Sequence, residues 1–108
     1  MKRGDVVIAA LAGPIREPRP AVVVQNDAVT GPETILVCPL TSVERDAEAF
    51  RLTVLPAPEN GLRVASQIMI DKVGPARHGN VRQHIGRLAP EIMEELDRRL
   101  AFVLGLGV

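Results

Sequence analysis

The sequence predicts a mainly β domain: five or six short antiparallel strands bent into a small sheet or barrel and closed by a C-terminal helix. Three observations predict it. Short β-branched and apolar runs recur along the chain, separated by clusters of turn-forming residues. The hydrophobic period changes to three- and four-residue steps only at the end. The 108 residues suffice for one domain, and residues 1–108 are read as a single unit.

The elements follow in order. Val6–Leu11 (VVIAAL) is a β-branched run, and Ala12–Pro18 is a Gly- and Pro-containing loop. Ala21–Gln25 is apolar enough to have no wet face, which places it centrally in the sheet. The turn formers of Asn26–Glu33 lead into a third strand, Thr34–Leu40 (TILVCPL). Pro39, which cannot donate to a ladder, sits near its exit. Ser42–Glu48 is a polar, acidic connection in which Asp46 and Glu48 read as solvated carboxylates. Phe50–Leu55 (FRLTVL) alternates as a half-exposed strand does. Pro56–Leu62 carries an Asn-Gly turn signal at Asn60-Gly61. Val64–Val73 reads as one fifth strand, Gly74–Asn80 as irregular, and Val81–Leu88 as one short strand more.

The terminal helix starts at Pro90, a residue suited to the first helical position. Ile92, Met93, Leu96, Leu100, Val103 and Leu104 form its apolar stripe. Acids come early and arginines late, with Glu94–Arg98 and Glu95–Arg99 spaced i,i+4. Gly105 can stop it. The ending FVLGLGV fits either a packed helix tail or part of a dimer seam.

Composition narrows the function classes. With two Phe and no Trp or Tyr, the core must be Val, Ile, Leu and Ala, and platforms for stacking bases are limited to Phe50, Phe102, His78 and His84. The single cysteine, Cys38, excludes an internal disulfide and a Cys-based zinc site, and its apolar surroundings predict a buried thiol. No apolar run reaches transmembrane length and no secretion-type leader is visible, so the cytoplasm is the expected location. Net charge is zero, but it is segregated: residues 1–20 carry +2, residues 72–90 carry +4, and residues 43–50 and 91–108 carry −2 each. His78 and His84 lack partners at metal-ligand spacing, and no phosphate loop, nucleophile elbow or Rossmann glycine pattern is present. No cofactor or metal is expected.

What is left is Arg19, set between Pro18 and Pro20, and the hydroxyls of Thr41 and Ser42 beyond the third strand. A guanidinium stays charged at physiological pH and offers a planar fork of donors that suits a phosphate. Prolines on both sides restrict its backbone. If the second and third strands pair as a hairpin, Arg19 and Thr41 lie at the same end of it and face one point. The same two residues also fit a surface arginine at a strand start and a threonine closing a turn.

The segments RGDVV (Arg3–Val7), RPAVVVQND (Arg19–Asp27), LVCPLTS (Leu36–Ser42), NGL (Asn60–Leu62), SQIMIDKV (Ser66–Val73) and IGRL (Ile85–Leu88), in this order and spacing, resemble the MazF/PemK toxins of bacterial toxin–antitoxin pairs. The resemblance spans nearly the whole chain. It implies an SH3-like barrel with a C-terminal helix, a homodimer, and a metal-independent endoribonuclease cutting single-stranded RNA at a short sequence. It implies attack of the ribose 2′-hydroxyl on the adjacent phosphorus, leaving a 2′,3′-cyclic phosphate and a 5′-hydroxyl. The family's arginine falls on Arg19, as an electrostatic stabiliser of the developing charge, and its threonine on Thr41, with Ser42 beside it. Arg16, Lys72, Arg77 and Arg82 are the further candidates for RNA contact. The implied partner is an antitoxin whose disordered, acidic tail covers the RNA groove. The loop AGPIREP, Ala12–Pro18, is shorter than in many relatives and lacks their Gly-Ser-Glu piece, so no acidic helper is assigned there. Two other readings stay open: a CcdB-like toxin that shares the barrel but binds DNA gyrase without cutting, and an inactive relative.

Overall fold

The computed structural model describes residues 1–11 and 17–107 of the chain. Among the described residues, seven strands and one α-helix follow in order: β1 Asp5–Ala9, β2 Arg19–Val23, β3 Thr34–Thr41, β4 Arg51–Val54, β5 Ser66–Met69, β6 Gly74–Arg77, β7 Val81–Arg87 and α1 Pro90–Leu104. The strands form one antiparallel sheet in the order β4-β5-β3-β2-β1-β7, with β6 also on β3. The apolar run of β2 is central as predicted, paired to β1 on one edge and β3 on the other.

One more strand is present than the sequence predicts, and the reason lies in β3. Its eight residues carry β2 along one edge. The opposite edge takes β6 along Thr34–Val37 and β5 at Leu40 and Thr41. The stretch expected as one strand, Val64–Val73, therefore breaks. Ile70–Lys72 forms a 3-10 turn between β5 and β6, which keeps Ile70 fully buried while the chain passes from one partner region of β3 to the next. Gly74–Arg77, expected as irregular, is the strand that follows, and His78–Asn80 is a second 3-10 turn. Pro75, with no N–H to offer, is tolerated because β6 pairs with β3 alone.

The two faces of the sheet bury different clusters. Val6, Val22, Cys38, Leu40, Ile68 and Ile70 line the face covered by α1 through Leu96, with Ile92, Met93, Leu100 and Val103 packed alongside. Val7, Ala9, Ala21, Val23, Ile35, Val37 and Ala76 line the other face. The predicted helical stripe is met except at Leu104, which is 52% exposed; Phe102 and Leu106 are exposed with it. Gly105 stops α1 in the left-handed region at φ 73°. Glu95 takes both late arginines, Arg99 at i,i+4 and Arg98 at i,i+3, so Arg98 turns to Glu95 rather than Glu94.

Candidate active site

Register decides what shares a face. Ala21 pairs with Pro39, and the same register continued by two residues sets Arg19 opposite Thr41. Thr41 pairs with Gln67 on β5, and Gln67 pairs with Thr53 on β4. Cross-strand partners point to the same side, so a polar row, Arg19–Thr41–Gln67–Thr53, crosses β2, β3, β5 and β4.

Arg19 and Thr41 come together in one hollow of about 360 Å³, lined also by Pro18, Pro20, Ser42, Val43 and Ser66. The hairpin expectation is met: both lie at the same end of β2 and β3. The Thr41 Oγ1 accepts the Val43 N–H at 3.1 Å, which leaves the hydroxyl proton to donate elsewhere. The Arg19 Nε is buried without a hydrogen-bond partner among the described residues. An unpaired buried donor costs about 1–3 kcal/mol, and a bound anion would relieve such a cost. Ser42 is exposed in the same hollow.

A second hollow, of about 540 Å³, meets the first at Pro20, Val64 and Ser66 and runs on over Ile8, Gly61, Arg63, Gln83 and Ile85. Together they form a groove that crosses the end of β2. Arg63 and Gln83 were not picked out from the sequence. Arg63 sits in an irregular connection with no periodicity to mark it, and Gln83 joins the groove only through the pairing of β7 with Ile8.

The other basic candidates are spread apart. Lys72 is exposed on the 3-10 turn after β5. Arg77 pairs with Thr34, at the end of β3 opposite Thr41. Arg82 fills a bulge in β7, since Ile8 pairs with Gln83 and Ala9 with Val81. Arg87 binds Asp5. The four cations of the +4 segment are thus dispersed over one turn and two strands. Arg16 lies outside the described residues, as does most of the Ala12–Pro18 loop.

His84 turns toward Asp5, with Nε2 3.5 Å from its carboxylate. Burial pushes the Asp5 carboxyl upward, but the Lys2 N–H and the charges of His84 and Arg87 outweigh it and hold the carboxyl below its ordinary range. This cluster ties the N-terminus to β7. Among the described residues, no group of three or more His, Cys, Asp or Glu side chains converges as a metal shell would.

A family model described as PemK-like, MazF-like toxin of type II toxin–antitoxin system matches residues 2–104. The chain belongs to this family. It is 36% identical over 108 residues to the probable endoribonuclease MazF of Mycolicibacterium smegmatis, covering 99% of each chain. The fold superposes on Mycobacterium tuberculosis toxin MazF-mt6 with a TM-score of 0.81 at 21% identity, covering 96% of this chain and 99% of that one. It also superposes on a mycobacterial endoribonuclease solved in complex with its cognate antitoxin, with a TM-score of 0.80 at 20% identity over 100% and 98% of the chains. No described helix of the toxin is long and apolar enough to cross a membrane.

Proposed function

We propose that this toxin is a metal-independent endoribonuclease that cuts single-stranded RNA in the groove at the end of β2. The observation that carries the reading is the shared hollow of Arg19 and Thr41 in a chain of the MazF-like family. The smegmatis relative, named as a probable endoribonuclease, supports the activity.

The chemistry is a transesterification. The ribose 2′-oxygen forms a bond to phosphorus while the bond from phosphorus to the 5′-oxygen breaks. The 2′-hydroxyl proton leaves to water and the 5′-oxygen gains one, so the products are a 2′,3′-cyclic phosphate and a 5′-hydroxyl with no water consumed. Negative charge on the non-bridging oxygens peaks in the transition state, where a fixed guanidinium and a hydroxyl donor are most effective. Arg19 supplies the first. Thr41 supplies the second, its rotamer set by the Val43 N–H. Ser42, which lines the same hollow, contacts the same phosphate. Arg63 lies on the groove with Arg19, and Arg16, Lys72, Arg77 and Arg82 are the further candidates where RNA extends past it.

The toxin acts in the cytoplasm as a homodimer, with Phe102, Leu104 and Leu106 among the exposed apolar residues available to a seam. A cognate antitoxin with a disordered acidic tail occupies the groove in the neutralised state; the antitoxin complex of the mycobacterial neighbour supports that partner.

The test is cleavage of single-stranded RNA in EDTA with mapping of the ends. Cyclic phosphate and 5′-hydroxyl termini are expected, with losses of about 100-fold or more in Arg19→Ala and Thr41→Ala. Intact RNA with stalled gyrase, or no effect on either, would overturn the nuclease reading.

A further inference from the structure

Arg51 and Gln67 are each only 8% exposed, although both are polar and neither belongs to the hollow that holds Arg19. They lie on the face that carries Thr41. Gln67 is its cross-strand partner, and Arg51 stands two residues before Thr53 in the same polar row. Residues 43–48 fold over this face. The Arg51 Nη1 donates to the Val43 carbonyl and to the Gln67 Oε1, both at 3.1 Å. The Gln67 amide grips the loop a second time: its Oε1 accepts the Arg45 N–H at 2.9 Å and its Nε2 donates to the Arg45 carbonyl at 3.2 Å.

Val43 is therefore held from two directions. Its carbonyl is fixed by Arg51, and its N–H is spent on the Thr41 hydroxyl. Its side chain contributes little to this, being 72% exposed. We infer that Arg51, supported by Gln67, is a positioning residue for Thr41: it fixes the Val43 carbonyl, and through the Val43 Cα the preceding peptide, so that the Val43 N–H selects the Thr41 rotamer whose O–H points to phosphate. This deepens the nuclease reading and rests on it.

The chemistry of burial favours a positioning role over a purely structural one. A buried guanidinium is costly unless well bonded, and an apolar side chain of similar volume often serves stability as well or better. Here the Nε has no partner among the described residues, so the side chain is not optimised for its own satisfaction. What the guanidinium does, and an apolar residue cannot, is hold a loop carbonyl next to the proposed phosphate donor. A hydroxyl on a β-branched residue has several staggered positions open to it, and a loop with an exposed valine has no core contact to choose among them.

The test measures kcat and KM on a single-stranded RNA that the wild type cleaves, together with amide exchange of Val43 in the free protein. Arg51→Met is expected to lower kcat about tenfold with KM within about twofold, the pattern of an interaction used in the transition state. The loss is expected to vanish when the substitution is made in Thr41→Ala, and Arg51→Lys, which keeps a cationic donor group but not the planar fork, to restore part of it. The Val43 amide is expected to exchange about tenfold faster in Arg51→Met, while amides of β1 and β2 do not change. Equal losses with and without Thr41, a rise in KM at unchanged kcat, or an unchanged Val43 amide would overturn the inference. Val43→Pro guards against an Arg51 variant that fails to fold. It removes the N–H at an exposed loop residue and should reproduce the kcat loss, again only when Thr41 is present. Absence of RNA cleavage by the wild type would sink the nuclease reading, whereas the Val43 exchange measurement would still decide whether Arg51 holds the loop.

Discussion

Cys38 and Thr41 lie on one strand and on its two faces, and that difference decides their chemistry. Thr41 faces the polar row and lines a hollow, with its hydroxyl proton free to donate. Cys38 faces the core and is 0% exposed. Burial pushes its thiol up to about 12, with the nearby Asp71 charge adding to the rise and Arg3 opposing it. Thiolate is the reactive form, so the folded protein should be inert to a disulfide reagent at pH 8. One equivalent should react, at the rate of unfolding, when denaturant is added. Rapid modification of the native protein would contradict the burial. The sign for stability follows from proton counts. Between the ordinary thiol value of 9.0 and about 12, the unfolded chain loses a proton that the folded chain keeps. Stability is therefore fully present below pH 9 and falls as pH rises above it.

At the scale of elements, the joint between the Pro56–Leu62 loop and β7 holds the tightest approaches to glycine among the described residues. Asn60, 3% exposed, builds the loop from within: its Nδ2 donates to the Leu55 carbonyl, and its Oδ1 accepts the N–H groups of Ala57 and Leu62. Gly61 then turns at φ +71°, where a Cβ would meet the Ile85 carbonyl oxygen at 2.1 Å. From the other side, a Cβ on Gly86 would meet the Asn60 carbonyl carbon at 2.4 Å. Gly61→Ala combines a left-handed backbone with a clash against main chain, and should cost about 2–4 kcal/mol by chemical denaturation. A change below about 0.5 kcal/mol would mean that the loop does not pack as described. The Asn-Gly signal was legible in the sequence as a turn; its partner β7 was not, because nothing local in IGRL says which loop lies on Gly86. The same division runs through the rest of the fold. The helix was legible because Pro90, the apolar stripe and Gly105 are local signals. The break at Ile70–Lys72 and the strand at Gly74–Arg77 were not, because a Gly-Pro strand forms only where β3 offers an edge. In the candidate site, Arg19 and Thr41 were legible since hairpin parity sets both at one strand end. Arg51 was not: alternation in FRLTVL marks a face as polar, but cannot show that residues 43–48 fold down over it.

For the whole molecule, zero net charge is the result of opposed regions rather than of uniform mixing. Among the described residues, no Asp or Glu lines the groove that carries Arg19 and Arg63, and ion pairs consume several of the cations: Arg3 with Asp97, Arg87 with Asp5, and Arg98 and Arg99 with Glu95. Only Arg19 and Arg63 among the described Lys and Arg side chains line the groove to neutralise RNA phosphates, and without Trp or Tyr there is little stacking to add to them. RNA affinity should therefore depend weakly on salt for a nucleic-acid enzyme. Each phosphate contact on a single strand contributes a slope of about −0.7 in log K against log salt, so contacts from Arg19 and Arg63 alone give about −1.4. Binding measured on the Thr41→Ala protein, which keeps these cations, reads that slope without cleavage. Arg63→Ala is expected to reduce its magnitude by about 0.7, one phosphate's worth. Arg77→Ala and Arg82→Ala make the same measurement for residues outside the groove: a reduced slope places RNA across β6 or β7, and an unchanged one confines it to the end of β2. A slope of about −4 or steeper in the parent would show that RNA follows a surface far more basic than this groove.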